Sequence, residues 1–71
     1  MVGVSMKPNI WEFVRDADGT YSVFHRGELL RQSIPERWFA EEICVTWGFC
    51  GSEYLEINRQ IERTGRATIM L

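Results

Sequence analysis

The chain has 71 residues, with 8 basic and 10 acidic side chains, a formal charge of −2 and 45% hydrophobic content. A chain this short holds one hydrophobic core, which excludes a multi-domain enzyme. The near-balanced charge lacks the basic footprint of a non-specific nucleic-acid or membrane-surface binder.

Cys44 and Cys50 allow at most one bridge, whereas secreted domains of this size carry several, so a reducing cytoplasm is the expected location. His25 is the single histidine and five residues separate the cysteines, so neither a tetrahedral zinc set nor a CxxC redox pair assembles from these ligands. No metal and no cofactor are expected. Residues 1–8 contain Gly3 and Pro8 and show no periodicity, which reads as a flexible N-terminal arm before a single α+β domain over 9–71. The arm lacks the apolar stretch of a signal peptide and no later window approaches a membrane span, so a soluble chain with no membrane partner is expected.

Two runs rich in aromatic and β-branched residues, Ile10 to Arg15 and Thr20 to Arg26, flank Asp16-Ala17-Asp18-Gly19 and predict a hairpin. Aspartate opens the turn and glycine accepts the left-handed position that closes it. Pairing Asp16 with Thr20 puts Phe13 opposite Val23, Arg15 opposite Tyr21 and Trp11 opposite His25. Trp11, Phe13, Tyr21 and Val23 then share one face, whereas a slip by one residue would mix the aromatics with Ser22 and Thr20. The other face carries Ile10, Glu12, Val14, Ser22 and Phe24, more apolar than a merely solvated surface.

Gly27 with Glu28 permits a second reversal, and Leu29 to Gln32 predict a short third strand against the second. Ser33-Ile34-Pro35-Glu36 reads as a capping box with proline in the first helical turn. The helix to about Trp47 carries an apolar stripe of Phe39, Ala40, Ile43, Cys44 and Trp47, with Arg37, Glu41 and Glu42 toward water and Gly48 as the stop signal. After a tight Gly48-Phe49-Cys50-Gly51 connection, Ser52 is expected to cap a second helix to Arg63 or Thr64, with Tyr54, Ile57 and Ile61 inward and Gly65 beyond its end. Arg66 to Leu71 is β-prone and is expected to return to the sheet, against either edge of the hairpin. The sum is a two-layer ββ(β)ααβ fold, an antiparallel sheet with a helical hairpin packed on one face.

Three surfaces invite a functional reading. Cys50 lies two residues before Ser52, where a helix N-terminus lowers a thiol pKa, and with His25 as base it would make a small thiol enzyme. Against this, cysteines in helix-connecting turns are more often packed than reactive. Glu53 and Glu56 share a helix face but read, beside Arg59 and Gln60, as a solvated charge-balanced surface. Arg15, Arg26, Arg31 and Arg66 flank strands and form a possible cationic edge for a carboxylate-bearing partner.

The stretch Ala40 to Arg59, with Ile43 and the small Cys44 before Gly48 in the turn and Ile57 in the second helix, resembles the helix-turn-helix family over about twenty residues. The resemblance implies DNA binding through the second helix, with Ser52, Arg59 and Arg63 as contacts. That helix carries Glu53, Glu56 and Glu62 against Arg59 and Arg63, whereas phosphate contacts demand positive charge. An αα-hairpin satisfies the same spacing without DNA.

Three tryptophans, four phenylalanines and two tyrosines exceed what a two-layer core of this size covers. Ile10, Val14 and Phe24 on the outer sheet face, Trp38 with Val45 off the helical stripe, and Trp47 are therefore the expected protein-interface residues. The expectation that follows is a non-enzymatic protein-binding module, a homodimer that regulates or inhibits another protein, including the kind of inhibitor carried by phages and mobile elements. Nucleic acid is the weaker alternative.

Overall fold

The computed structural model of the chain describes residues 9–71, so the expected arm over 1–8 lies outside the described residues. Strands Ile10–Arg15 (β1) and Tyr21–His25 (β2) pair antiparallel with Trp11 opposite His25, Phe13 opposite Val23 and Arg15 opposite Tyr21. This is the register that the burial pattern demands. The Asp16 N–H donates to the Thr20 carbonyl at 2.8 Å and the Gly19 N–H to the Asp16 carbonyl at 2.9 Å, with Gly19 at φ 87. Asp18 locks the turn by accepting the Thr20 hydroxyl at 2.7 Å and its N–H at 2.9 Å.

The second reversal sits one residue earlier than expected. Arg26 and Gly27 are its central pair, at φ 54 and 83, and His25 pairs with Glu28 across it. Positive φ at both centres gives the two-residue turn whose twist matches a hairpin. The Arg26 N–H donates to the Ile10 carbonyl at 2.8 Å and so extends the β1–β2 ladder.

The third strand, Glu28–Ile34 (β3), is longer than Leu29 to Gln32 and pairs antiparallel with β2. Between the pairs Tyr21–Ile34, Val23–Arg31 and Phe24–Leu29, β3 twice spends one more residue than β2, and Ser33 stands at φ 59 in the first irregularity. These are β-bulges, which kink an edge strand away from further pairing. Ser33 therefore does not cap the helix that follows. Ile34 must stay extended because it precedes proline and is buried opposite Tyr21. Pro35 takes the cap position, with no side-chain bond.

The first helix, Glu36–Glu41 (α1), continues into a π-helical turn over Glu42–Thr46, closed by the Trp47 N–H on the Glu42 carbonyl at 3.3 Å. Phe39 and Ile43 are buried, whereas Ala40 is exposed, because one helical step from Phe39 carries it off the inward face. Glu42, expected toward water, is only 12% exposed in its side chain. It follows Phe39 by three residues and so shares its face. There it meets Arg31 of β3.

The second helix, Ser52–Thr64 (α2), has Gly51 at its cap position and no side-chain cap, so Ser52 is its first residue and not its cap. Gly51 adopts φ 67, which a serine at that position would resist. Ile57 and Ile61 are buried and Tyr54 packs at the core margin, as the spacing predicts. Gly65 ends α2 in the left-handed conformation, its N–H on the Ile61 carbonyl at 2.7 Å.

The last strand, Arg66–Met70 (β4), pairs antiparallel with β1, which resolves the open choice of edge and gives the order β3-β2-β1-β4. Ala67 and Ile69 stand opposite Phe13 and Trp11. The outward edge of β4 is occupied by α2 side chains: the Thr64 hydroxyl donates to the Arg66 carbonyl at 3.0 Å and accepts its N–H at 3.3 Å, and Gln60 holds Thr68 in the same manner. One core lies between sheet and helices. Tyr21 stacks on Phe39 with ring centres 3.9 Å apart, and Phe49 meets the rings of Phe13 and Trp11 edge-on at 5.7 and 5.0 Å.

Candidate interaction surfaces

The stripe that buries Phe39 of α1 and Ile43 of the π-helical turn leaves Trp38 and Val45 facing outward. Trp38 is 50% exposed and Val45 75%. With Ile34, Pro35 and Thr46 they line a groove of about 480 Å³ between β3 and α1, whose polar groups are Arg31, Glu41 and Glu42. Arg31 Nη1 lies 3.1 Å from Glu42 Oε2, and that buried oxygen has no hydrogen-bond partner. The pair is held by charge without hydrogen-bond alignment. The Arg37 guanidinium stands 5.9 Å from the centre of the Trp38 ring, a cation–π distance that orients the exposed indole.

The second surface is the sheet face away from the helices, which no described element covers. Strand alternation places Ile10, Glu12 and Val14 of β1 and Ser22 and Phe24 of β2 there. Pairing adds Leu29 of β3 opposite Phe24, and Met70 of β4 opposite Ile10. Leu29 is 47% and Met70 68% exposed. Ile10, Val14 and Phe24 are half-buried among their neighbours. Polar groups interrupt the face: Arg66 Nε lies 3.4 Å from Glu12 Oε2, and the buried Ser22 donates to Asp16 at 2.7 Å.

The five expected interface residues therefore do not form one surface. Ile10, Val14 and Phe24 share the open sheet face, Trp38 rims the groove on the helical side, and Trp47 packs half-buried at 5.4 Å from Trp11 with its indole N–H buried and without an acceptor. Leu29 and Met70 escaped the sequence reading because their faces depend on the β3 bulges and on the edge that β4 selects.

Among the residues of the alternative readings, Arg59, His25 and Cys50 have hydrogen-bond partners. The Arg59 guanidinium bonds both oxygens of Glu56, at 2.8 and 2.7 Å from Nη2, and Glu56 is held below the usual carboxylate range by Arg59 and then Gln60. The α2 face bearing Arg59 and Arg63 thus includes a carboxylate, and Ser52 lies exposed at the helix start. His25 Nε2 pairs with Asn9 Oδ1 at 2.6 Å and its ring stacks on Trp11, while the exposed Cys50 donates to the Cys44 carbonyl at 3.6 Å. No hydrogen bond among the described residues joins His25 to Cys50.

Among the described residues, no group of three or more histidine, cysteine or acidic side chains is placed to hold a metal ion, and no helix is long and apolar enough to cross a membrane. No family model, curated protein or solved structure matches this chain.

Proposed function

We propose that this chain is a non-enzymatic protein-binding module, which pairs with a second copy through the open face of its sheet and regulates or inhibits another protein through the groove beside Trp38. It works in a reducing cytoplasm, a reading that rests on its having only two cysteines. The observation that carries the proposal is the gathering of Ile10, Val14, Phe24, Leu29 and Met70 on one sheet face that no described element covers, since apolar side chains clustered within a polar surround mark interfaces. Charge also favours a second copy. Glu12 and Arg66 stand side by side on that face, and a twofold axis between them presents each Glu12 to the other copy's Arg66. Closed twofold dimers are the commonest assembly.

Light scattering after size exclusion, over a concentration series, tests this reading. The expected result is twice the chain mass for the native protein and for Trp38→Ala, and the chain mass for Phe24→Lys. A native protein that stays monomeric at every concentration overturns the self-pairing, as does a Phe24→Lys variant that folds and still dimerises.

A further inference from the structure

After the π-helical turn the chain doubles back, with the Phe49 N–H on the Ile43 carbonyl at 3.0 Å, and this brings Cys50 over Cys44. Each thiol donates across the turn, Cys44 to the Phe49 carbonyl at 3.4 Å and Cys50 to the Cys44 carbonyl at 3.6 Å. The two differ in access, Cys44 being half-buried and Cys50 exposed. Burial, and then the neighbouring Cys50 thiol, push the Cys44 pKa up. A thiol that meets solvent and a half-buried thiol behind it fit the two roles of an attacking and a resolving cysteine.

We propose that Cys44 and Cys50 are an oxidisable pair, in which exposed Cys50 reacts with a small disulfide of the glutathione class and Cys44 resolves the product into a bridge across the turn. In the first step the Cys50 thiolate attacks one sulfur of oxidised glutathione, forming a mixed disulfide and expelling one glutathione thiolate. In the second, Cys44 gives its proton to solvent and its sulfur attacks the Cys50 sulfur, expelling the second glutathione. The two protein thiols lose two electrons and two protons, and one glutathione disulfide becomes two glutathione thiols. The bridge would tie the middle of the π turn to the residue before Gly51, fixing the segment that carries Trp47 and the buried Phe49.

Incubation of the full chain with oxidised glutathione, followed by intact mass and by chymotryptic mapping without reductant, tests the proposal. The native chain is expected to lose two hydrogens, to carry no lasting glutathione, and to yield peptides on either side of Trp47 that remain linked until reduced. Cys44→Ser is expected to keep one glutathione on Cys50, and Cys50→Ser to react many-fold more slowly. A native chain that stays unmodified, retains glutathione on Cys50 or links to a second chain overturns the proposal, and so does equally fast modification of Cys44 in Cys50→Ser. The native mapping decides the matter even where a variant fails to fold.

Discussion

Gln60 grips both backbone groups of Thr68: its side-chain oxygen accepts the Thr68 N–H at 2.9 Å, and its amide nitrogen donates to the Thr68 carbonyl at 3.2 Å. The same nitrogen donates to Glu56 at 2.9 Å, so one face of α2 is wired to the outward edge of β4. An open strand edge is a template for pairing with another chain, and here a helix fills the position of the next strand. Gln60→Ala is expected to destabilise the fold by about 1–2 kcal/mol, the worth of two net hydrogen bonds. Hydrogen exchange at the Thr68 amide should accelerate well beyond that of Ile69, which faces β1. Unchanged protection at Thr68 would show that the edge is closed by something else.

The core rests on few side chains, so one deletion is costly. Ile57 is fully buried, and Ile57→Ala is expected to cost about 2–5 kcal/mol. Leu55, two residues earlier on the same helix, is 67% exposed, and Leu55→Ala is expected to stay within about 0.5 kcal/mol of the native chain. Urea unfolding of both variants, followed by tryptophan fluorescence, checks the contrast.

Arg26 occupies a left-handed position, which costs a side chain other than glycine or asparagine roughly 1–2 kcal/mol. Arg26→Asn is expected to recover about 0.5–1 kcal/mol and raise the melting temperature, because asparagine favours the first centre of this two-residue turn. A lower melting temperature would mean that the arginine side chain contributes more than its backbone strain removes.

Acid should weaken the first turn. The Thr20 hydroxyl, and then the Thr20 N–H, hold Asp18 below the ordinary carboxylate range, so the folded chain binds that proton only at a lower pH than the unfolded chain does. The contribution is therefore complete above the unfolded carboxylate pKa and is lost as pH falls through the folded one. Melting temperatures of the native chain and Asp18→Asn are expected to differ at neutral pH and to converge in acid. A difference independent of pH would place the effect of the substitution outside the carboxylate charge.

The β1–β2 hairpin was legible because alternation of aromatic and β-branched residues admits one register that buries Phe13 and Val23 together, and because Asp16 and Gly19 dictate the turn between them. The helical spacing of Tyr54, Ile57 and Ile61, with Gly65 after it, likewise announced α2 and its inward face. These patterns are local, with periods of two or 3.6 residues, and the chain carries them wherever it goes.

Other features required partners distant in sequence. Ser33 has the chemistry of a helix cap, yet the burial of Ile34 opposite Tyr21 keeps it in a bulged strand. Glu42 looks solvated until Arg31 arrives from β3, and Phe49, in a glycine-flanked turn, enters the core only because the rings of Trp11 and Phe13 leave room for its edge. The choice of β1 as partner for β4, and with it the placing of Met70 beside Ile10 on the open face, follows from where α2 sets the chain down. Sequence by itself determined the order of the elements and the inward faces of the β1–β2 hairpin and α2, since those depend on neighbours a few residues apart. Tertiary structure alone decided the strand order, the addition of Leu29 and Met70 to the open sheet face, the groove that joins Arg31 to Glu42 and the meeting of Cys44 with Cys50, because each depends on packing between segments whose relative placement no local periodicity encodes.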